Sequence, residues 1–96
     1  MILWVLYDIA EDKARTLVAK HCKQAGLYRV QYSVFLGKIN ATERDELRLE
    51  IEGLIDTDSD KVYLFTLTKA ELKQAILLGQ AFDKKLVTDQ VKALFF

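Results

Sequence analysis

The sequence predicts an α+β sandwich in which one antiparallel sheet carries both helices on a single face. Two observations carry that prediction. The hydrophobic period switches between strand-like and helix-like along the chain, in the order strand, helix, strand, helix, strand. No proline, internal repeat, linker or low-complexity segment interrupts the order, so residues 1–96 read as one domain.

Ile2 to Tyr7 is apolar at every position, as a central strand covered on both faces requires. It runs straight into Asp8. A carboxylate there has two readings: a cap for the turn into the next helix, or a charge held on a rigid strand end toward a metal ion or a phosphate. Ala14, Leu17, Val18, Cys22 and Ala25 then recur at helical spacing, with Glu11 and Asp12 at the positive end and Gly26 as the stop. From Leu27 to Ile39, "LYRVQYSVFLGKI" is rich in β-branched and aromatic residues. Tyr28, Val30, Tyr32 and Val34 share one parity, and Arg29, Gln31, Ser33 and Phe35 the other. This is one strand, or two short strands joined by a kink that periodicity does not locate.

Thr42 precedes Glu43, Arg44 and Asp45 in a capping-box-like arrangement, and Leu47, Ile51, Leu54 and Ile55 form the stripe of a second helix. The acidic run "DTDSD" (56–60) lacks the glycine and the closing glutamate of a calcium loop and reads as a solvated turn. "KVYLFTLT" is a strand through Thr68. Beyond it, "KAELKQAILLG" fits a helix by propensity, while "AILLG" equally fits an edge strand, and the terminal "KALFF" reads as a strand or a docking tail. With right-handed strand-helix-strand crossovers, the simplest topology is the ferredoxin-like βαββαβ sandwich.

Composition narrows the function. The 51% hydrophobic and 29% charged content is that of an ordinary globular chain. Fourteen Lys and Arg balance fourteen Asp and Glu, so contact with a nucleic acid rests on local charge placement rather than a net basic field. A 96-residue domain buries a moderate fraction of its surface, which favours a partner chain. The single cysteine, Cys22, forms no internal disulfide, and its place on a buried helix face makes it core and points to a reducing cytoplasm. The N-terminal apolar run has no basic leader and is too short for a signal peptide or a membrane span. P-loop, dinucleotide-fold, paired-cysteine and zinc-protease signatures are absent, and the lone His21 in mid-helix reads as structural.

"YDIAEDKAR", followed by "GLYRVQYSVFLGKI" and later by "YLFTLT", resembles the CRISPR-associated protein 2 family, the small subunit of the spacer-acquisition machinery, over residues 1–68. The resemblance implies a ferredoxin-like fold, a symmetric homodimer, and a Mg2+-dependent endonuclease acting on RNA or double-stranded DNA; the apolar C-terminus, where the resemblance is thin, reads from its own residues as a strand or tail docking at the dimer interface. It also implies assembly with the CRISPR integrase subunit, in which the dimer can serve as a non-catalytic scaffold on duplex DNA. Carried over by residue, Asp8 is the catalytic metal-binding carboxylate with Tyr7 beside it, Arg15 and Arg29 contact nucleic acid, and Ser33 and Phe35 support them. Lys13, Lys20 and Lys23 extend the basic surface along the first helix. The chain departs from some members at Leu17, where a second arginine can stand, and at Ala10, where a capping Ser or Thr is common. One carboxylate is a poor magnesium site, so the resemblance requires a twofold axis that brings two copies of Asp8 to one ion. A ferredoxin-fold module for an unrelated small ligand is the remaining class.

Overall fold

The structure is a computed structural model that describes residues 1–79. Its elements are β1 (Ile2–Asp8), α1 (Asp12–Gln24), β2 (Tyr28–Gln31), β3 (Val34–Lys38), α2 (Ala41–Glu52), β4 (Lys61–Leu67) and α3 (Lys69–Gln74). The strands form one sheet in the order β2-β3-β1-β4, with every neighbouring pair antiparallel. This is the ferredoxin-like βαββαβ arrangement with a short helix appended. The terminal "KALFF" and its docking lie outside the described residues.

Strand β1 sits between β3 and β4, which explains its apolar sequence on both parities. Leu3, Val5 and Tyr7 face the main core, where Val18 and Cys22 of α1 and Leu47 and Ile51 of α2 close over them and over Phe35. The opposite face carries Ile2, Trp4, Leu36 and Leu67, and Leu72 of α3 packs against it. The expected pair of helices on one face therefore holds for α1 and α2, while α3 sits on the other. Burial pushes the Cys22 thiol up to about 12, against a smaller opposing pull from Arg29, so it stays protonated and inert in the core.

Helix α1 ends as its sequence predicts. Gly26 adopts φ 87°, and the N–H groups of Gly26 and Leu27 return to the carbonyls of Lys23 (3.0 Å) and Cys22 (3.1 Å). His21 Nδ1 pairs with the Glu50 carboxylate between α1 and α2, the structural role read for it. The expected cap of α2 is corrected. Asn40, not Thr42, is the N-cap, accepting from Glu43 N–H at 2.8 Å while Glu43 accepts from Asn40 N–H at 3.1 Å. Leu54 and Ile55 lie past the end of α2, half-buried against the core from the following turn.

Of the two readings of 27–39, the structure has the two short strands, β2 and β3, paired as a hairpin. Gln31 pairs with Val34 around a two-residue loop, Tyr32–Ser33, and a register irregularity falls between Arg29 and Gln31. Neither loop residue has positive φ, so the loop lacks the primed-turn geometry that matches strand twist, and the irregularity in β2 accompanies it.

Thr68 ends β4 as the N-cap of α3, in a second reciprocal box with Glu71. These bonds hold the Glu71 carboxyl below its ordinary value, so their contribution is present above the unfolded pKa and lost as pH falls through the folded one. Residues 75–79 form neither helix nor strand, so the edge-strand reading of "AILLG" does not hold.

Gly37 in β3 passes so close to the turn after α1 that an added Cβ would meet Leu27 Cδ2 at 2.9 Å and Leu27 Cα at 3.0 Å. Gly37→Ala is expected to destabilise the fold by about 1–3 kcal/mol through overpacking. Thermal melting checks this, and an unchanged midpoint would show that the turn moves aside freely.

Candidate functional site

The junction between β1 and α1 holds the first candidate group. Asp8 is exposed at the end of the central strand, opposite Lys61 of β4, and among the described residues its carboxylate has no hydrogen-bond or ion-pair partner. It is not the cap of α1, because the helix begins after Glu11, whose side chain makes no capping bond either.

The turn is held by other groups. Asp60 reaches across from the foot of β4 and accepts from Ala10 N–H at 3.1 Å with one oxygen and from Asp56 N–H at 2.9 Å with the other. Arg15 donates to the Ile9 carbonyl at 2.9 Å and pairs with Asp12. Ala10 is therefore not a cap position; its N–H is satisfied by Asp60 from the turn before β4. The structural work at this turn is done by Asp60 and Arg15.

A second feature lies between α1 and the β2–β3 hairpin, in an open groove of about 720 Å³. Arg15, Lys20, Lys23 and Arg29 line it against a single carboxylate, Asp12, which already pairs with Arg15. Its floor includes Tyr7, 7% exposed, whose hydroxyl is buried without a hydrogen-bond partner among the described residues. The Tyr7 ring stacks on Phe35 at 6.3 Å between centroids, and Tyr7 N–H donates to the Ser33 carbonyl at 3.1 Å. The Arg29 guanidinium lies 5.1 Å from the Phe35 ring centroid and 5.8 Å from that of Tyr32.

The structure thus brings Tyr7, Arg15, Arg29, Ser33 and Phe35 into one neighbourhood on the helix face of the sheet. Asp8 is not part of it. Strand alternation turns Asp8 to the opposite face, in line with Trp4 and Leu6. That face is largely apolar: Trp4 pairs with Phe65 and Leu6 with Tyr63, and Phe65 (55%) and Tyr63 (54%) are strongly exposed. Lys20 and Lys23 face the groove, whereas Lys13 does not line it.

Sequence reasoning passed over Asp60 and Tyr32. The first sat in an acidic run with no local sign of its partner fifty residues away. The second was assigned to a strand rather than to the hairpin loop. No group of three or more His, Cys, Asp or Glu side chains suited to holding a metal occurs among the described residues.

Sheet order, a carboxylate at the central strand end and a basic groove define a small ferredoxin-like domain with two separate polar features. The family described as CRISPR associated protein Cas2 matches residues 1–75, and the chain belongs to that family. It is 33% identical over 79 residues to the CRISPR-associated endoribonuclease Cas2 1 of Archaeoglobus fulgidus, covering 82% of this chain and 84% of the relative. It is 35% identical to the CRISPR-associated endoribonuclease Cas2 2 of Chloroflexus aurantiacus, covering 82% of this chain and 93% of the relative. The crystal structure of Streptococcus pyogenes Cas2 superposes with a TM-score of 0.72 at 28% identity, covering 82% of this chain and all of that one (100%). That of a hypothetical protein from Thermus thermophilus superposes with a TM-score of 0.73 at 29% identity, covering 83% and 92%.

The division of labour at the junction is testable by stability alone. Asp8→Asn is expected to leave the unfolding free energy within about 0.5 kcal/mol, as for an exposed group without partners. Asp60→Ala removes two hydrogen bonds to a carboxylate and is expected to cost about 1–2 kcal/mol. Denaturant titration of both variants measures this, and the reverse ranking would return the structural role to Asp8.

Proposed function

We propose that the chain is a metal-dependent endonuclease of the adaptation stage of CRISPR defence, acting on RNA in the cytoplasm through two Asp8 carboxylates brought together in a homodimer. The observation that carries this reading is the exposed, unpartnered carboxylate at a rigid strand end whose turn is secured by other residues. The names of the Archaeoglobus and Chloroflexus relatives support RNA as the substrate.

The sheet supports the dimer. The face shared by Trp4, Leu6, Tyr63 and Phe65 is too apolar to be left in water, and α3 covers only the end near Ile2 and Leu36. Asp8 stands on the same face at the opposite end of β1. A twofold axis passing through that face close to its Asp8 end would set the two copies of Asp8 within reach of one another, and a self-complementary surface needs no second partner.

Magnesium suits this donor set, since it takes one or two carboxylates and fills its remaining positions with water and substrate phosphate. Bound there, it would polarise a phosphoryl oxygen and lower the pKa of a bound water. The chain's own contribution is to hold the carboxylates. Asp60 and Arg15 fix the turn behind them, so Asp8 is oriented without being engaged. Arg15 thereby serves first as a brace, while Arg29, Lys20 and Lys23 are left to meet phosphates.

A second reading is favoured by one observation: the basic groove and Asp8 lie on opposite faces of the sheet. A dimer built that way can hold duplex DNA on its outer surfaces and bridge integrase subunits without cutting.

Two measurements test these readings. Asp8→Asn is expected to abolish Mg2+-dependent cleavage of RNA, with duplex DNA assayed in parallel, while dimerisation is unchanged; equal cleavage by wild type and variant would leave only the scaffold. Phe65→Glu is expected to shift the protein from dimer to monomer at micromolar concentration in equilibrium ultracentrifugation. A monomeric wild type would end both readings.

A further inference from the structure

We propose that the groove on the helix face is a seat for one unpaired nucleotide, with Tyr32 as the platform on which its base stacks. This rests on the nucleic-acid reading above and specifies the form of nucleic acid the groove takes.

Tyr32 stands at the hairpin loop, 73% exposed, where turns ordinarily use small polar residues or glycine. A large aromatic ring held in water at that position serves neither the core nor the turn. It is not left loose, because the Arg29 guanidinium lies over it at 5.8 Å and is itself seated over Phe35. The ring therefore has one face against a cation and presents the rest of its surface outward. A nucleobase stacking there would complete a layered arrangement of base, tyrosine and guanidinium.

The charges beside it are arranged for a phosphate. Lys20 and Lys23, one helical turn apart on α1, line the same groove without an acidic partner among the described residues, and the one carboxylate present is taken by Arg15. The volume, about 720 Å³, is in the range of small-molecule sites. Bases inside a closed duplex have no free face to offer Tyr32, so the seat selects single strands, loops and frayed ends. With Asp8 on the other side of the sheet, the groove holds nucleic acid at a distance from the proposed cutting position.

The test is fluorescence anisotropy of the full chain with a labelled oligouridylate and with a blunt RNA duplex of equal length. Tyr32→Ala is expected to weaken oligouridylate binding about tenfold or more and to leave the duplex unaffected; Tyr32→Leu should behave the same way, and Tyr32→Phe should bind as wild type. Lys20→Ala combined with Lys23→Ala should weaken both nucleic acids and reduce the salt dependence of each. Equal losses for the two nucleic acids in Tyr32→Ala, or no loss at all, would overturn the seat while the broader reading stands. Wild-type protein that binds neither would overturn both.

Discussion

Everything else in this fold follows from the position of β1, a strand hydrogen-bonded along both edges and apolar on both faces. Burying one face is straightforward, since α1 and α2 close over Leu3, Val5 and Phe35 as a two-layer sandwich requires. The second face is harder to cover in so short a chain. A six-residue helix brings Leu72 to one end of it and leaves Tyr63 and Phe65 in solvent. Among the described residues nothing else covers this face, and its exposed aromatics mark a surface suited to a further layer.

The same strand sets the geometry of the polar features. Because consecutive residues of a strand point to opposite faces, Tyr7 belongs to the floor of the basic groove and Asp8, its neighbour, to the end of the apolar face. Adjacent in sequence, they serve different surfaces. The connection between β1 and α1 would ordinarily draw on a carboxylate at this point to satisfy its backbone, and here Asp60 supplies it from the other side of the sheet edge. Arg15 adds the brace from within the helix. Asp8 is thereby left without a structural bond at this turn.

Net neutrality of the chain and a locally basic groove are compatible because the acids are elsewhere. Glu43 is engaged at the start of α2, Glu71 at the start of α3, Glu50 with His21, and Asp56 and Asp60 in the turn before β4. Many of the acidic side chains are spent on capping and turns, where helix ends and free N–H groups favour negative charge. The groove between α1 and the hairpin is left with four cations and one neutralised carboxylate.

The sequence by itself determined the order of the elements, most of the main core (Ala19 rather than Leu17 completes the buried face of α1) and the position of Asp8 at a strand end, because these depend on periodicity and on local capping chemistry. The box at Thr68 and Glu71 was passed over, because Thr68 was read as the last residue of a strand. Where two local signals competed, the reading failed: Asn40 and Thr42 each have an acidic residue three positions on, and the structure forms the reciprocal box at Asn40 and Glu43. The break at Tyr32–Ser33 was hidden because the loop contains no glycine and needs none, having no positive φ. Only the tertiary structure decided that Asp60 replaces Asp8 at the turn, that Arg15 braces a loop, and that Asp8 and the arginines occupy opposite faces. Each of these rests on a contact between segments far apart in the chain or on the alternation of a particular strand within a particular sheet, and no local pattern encodes it.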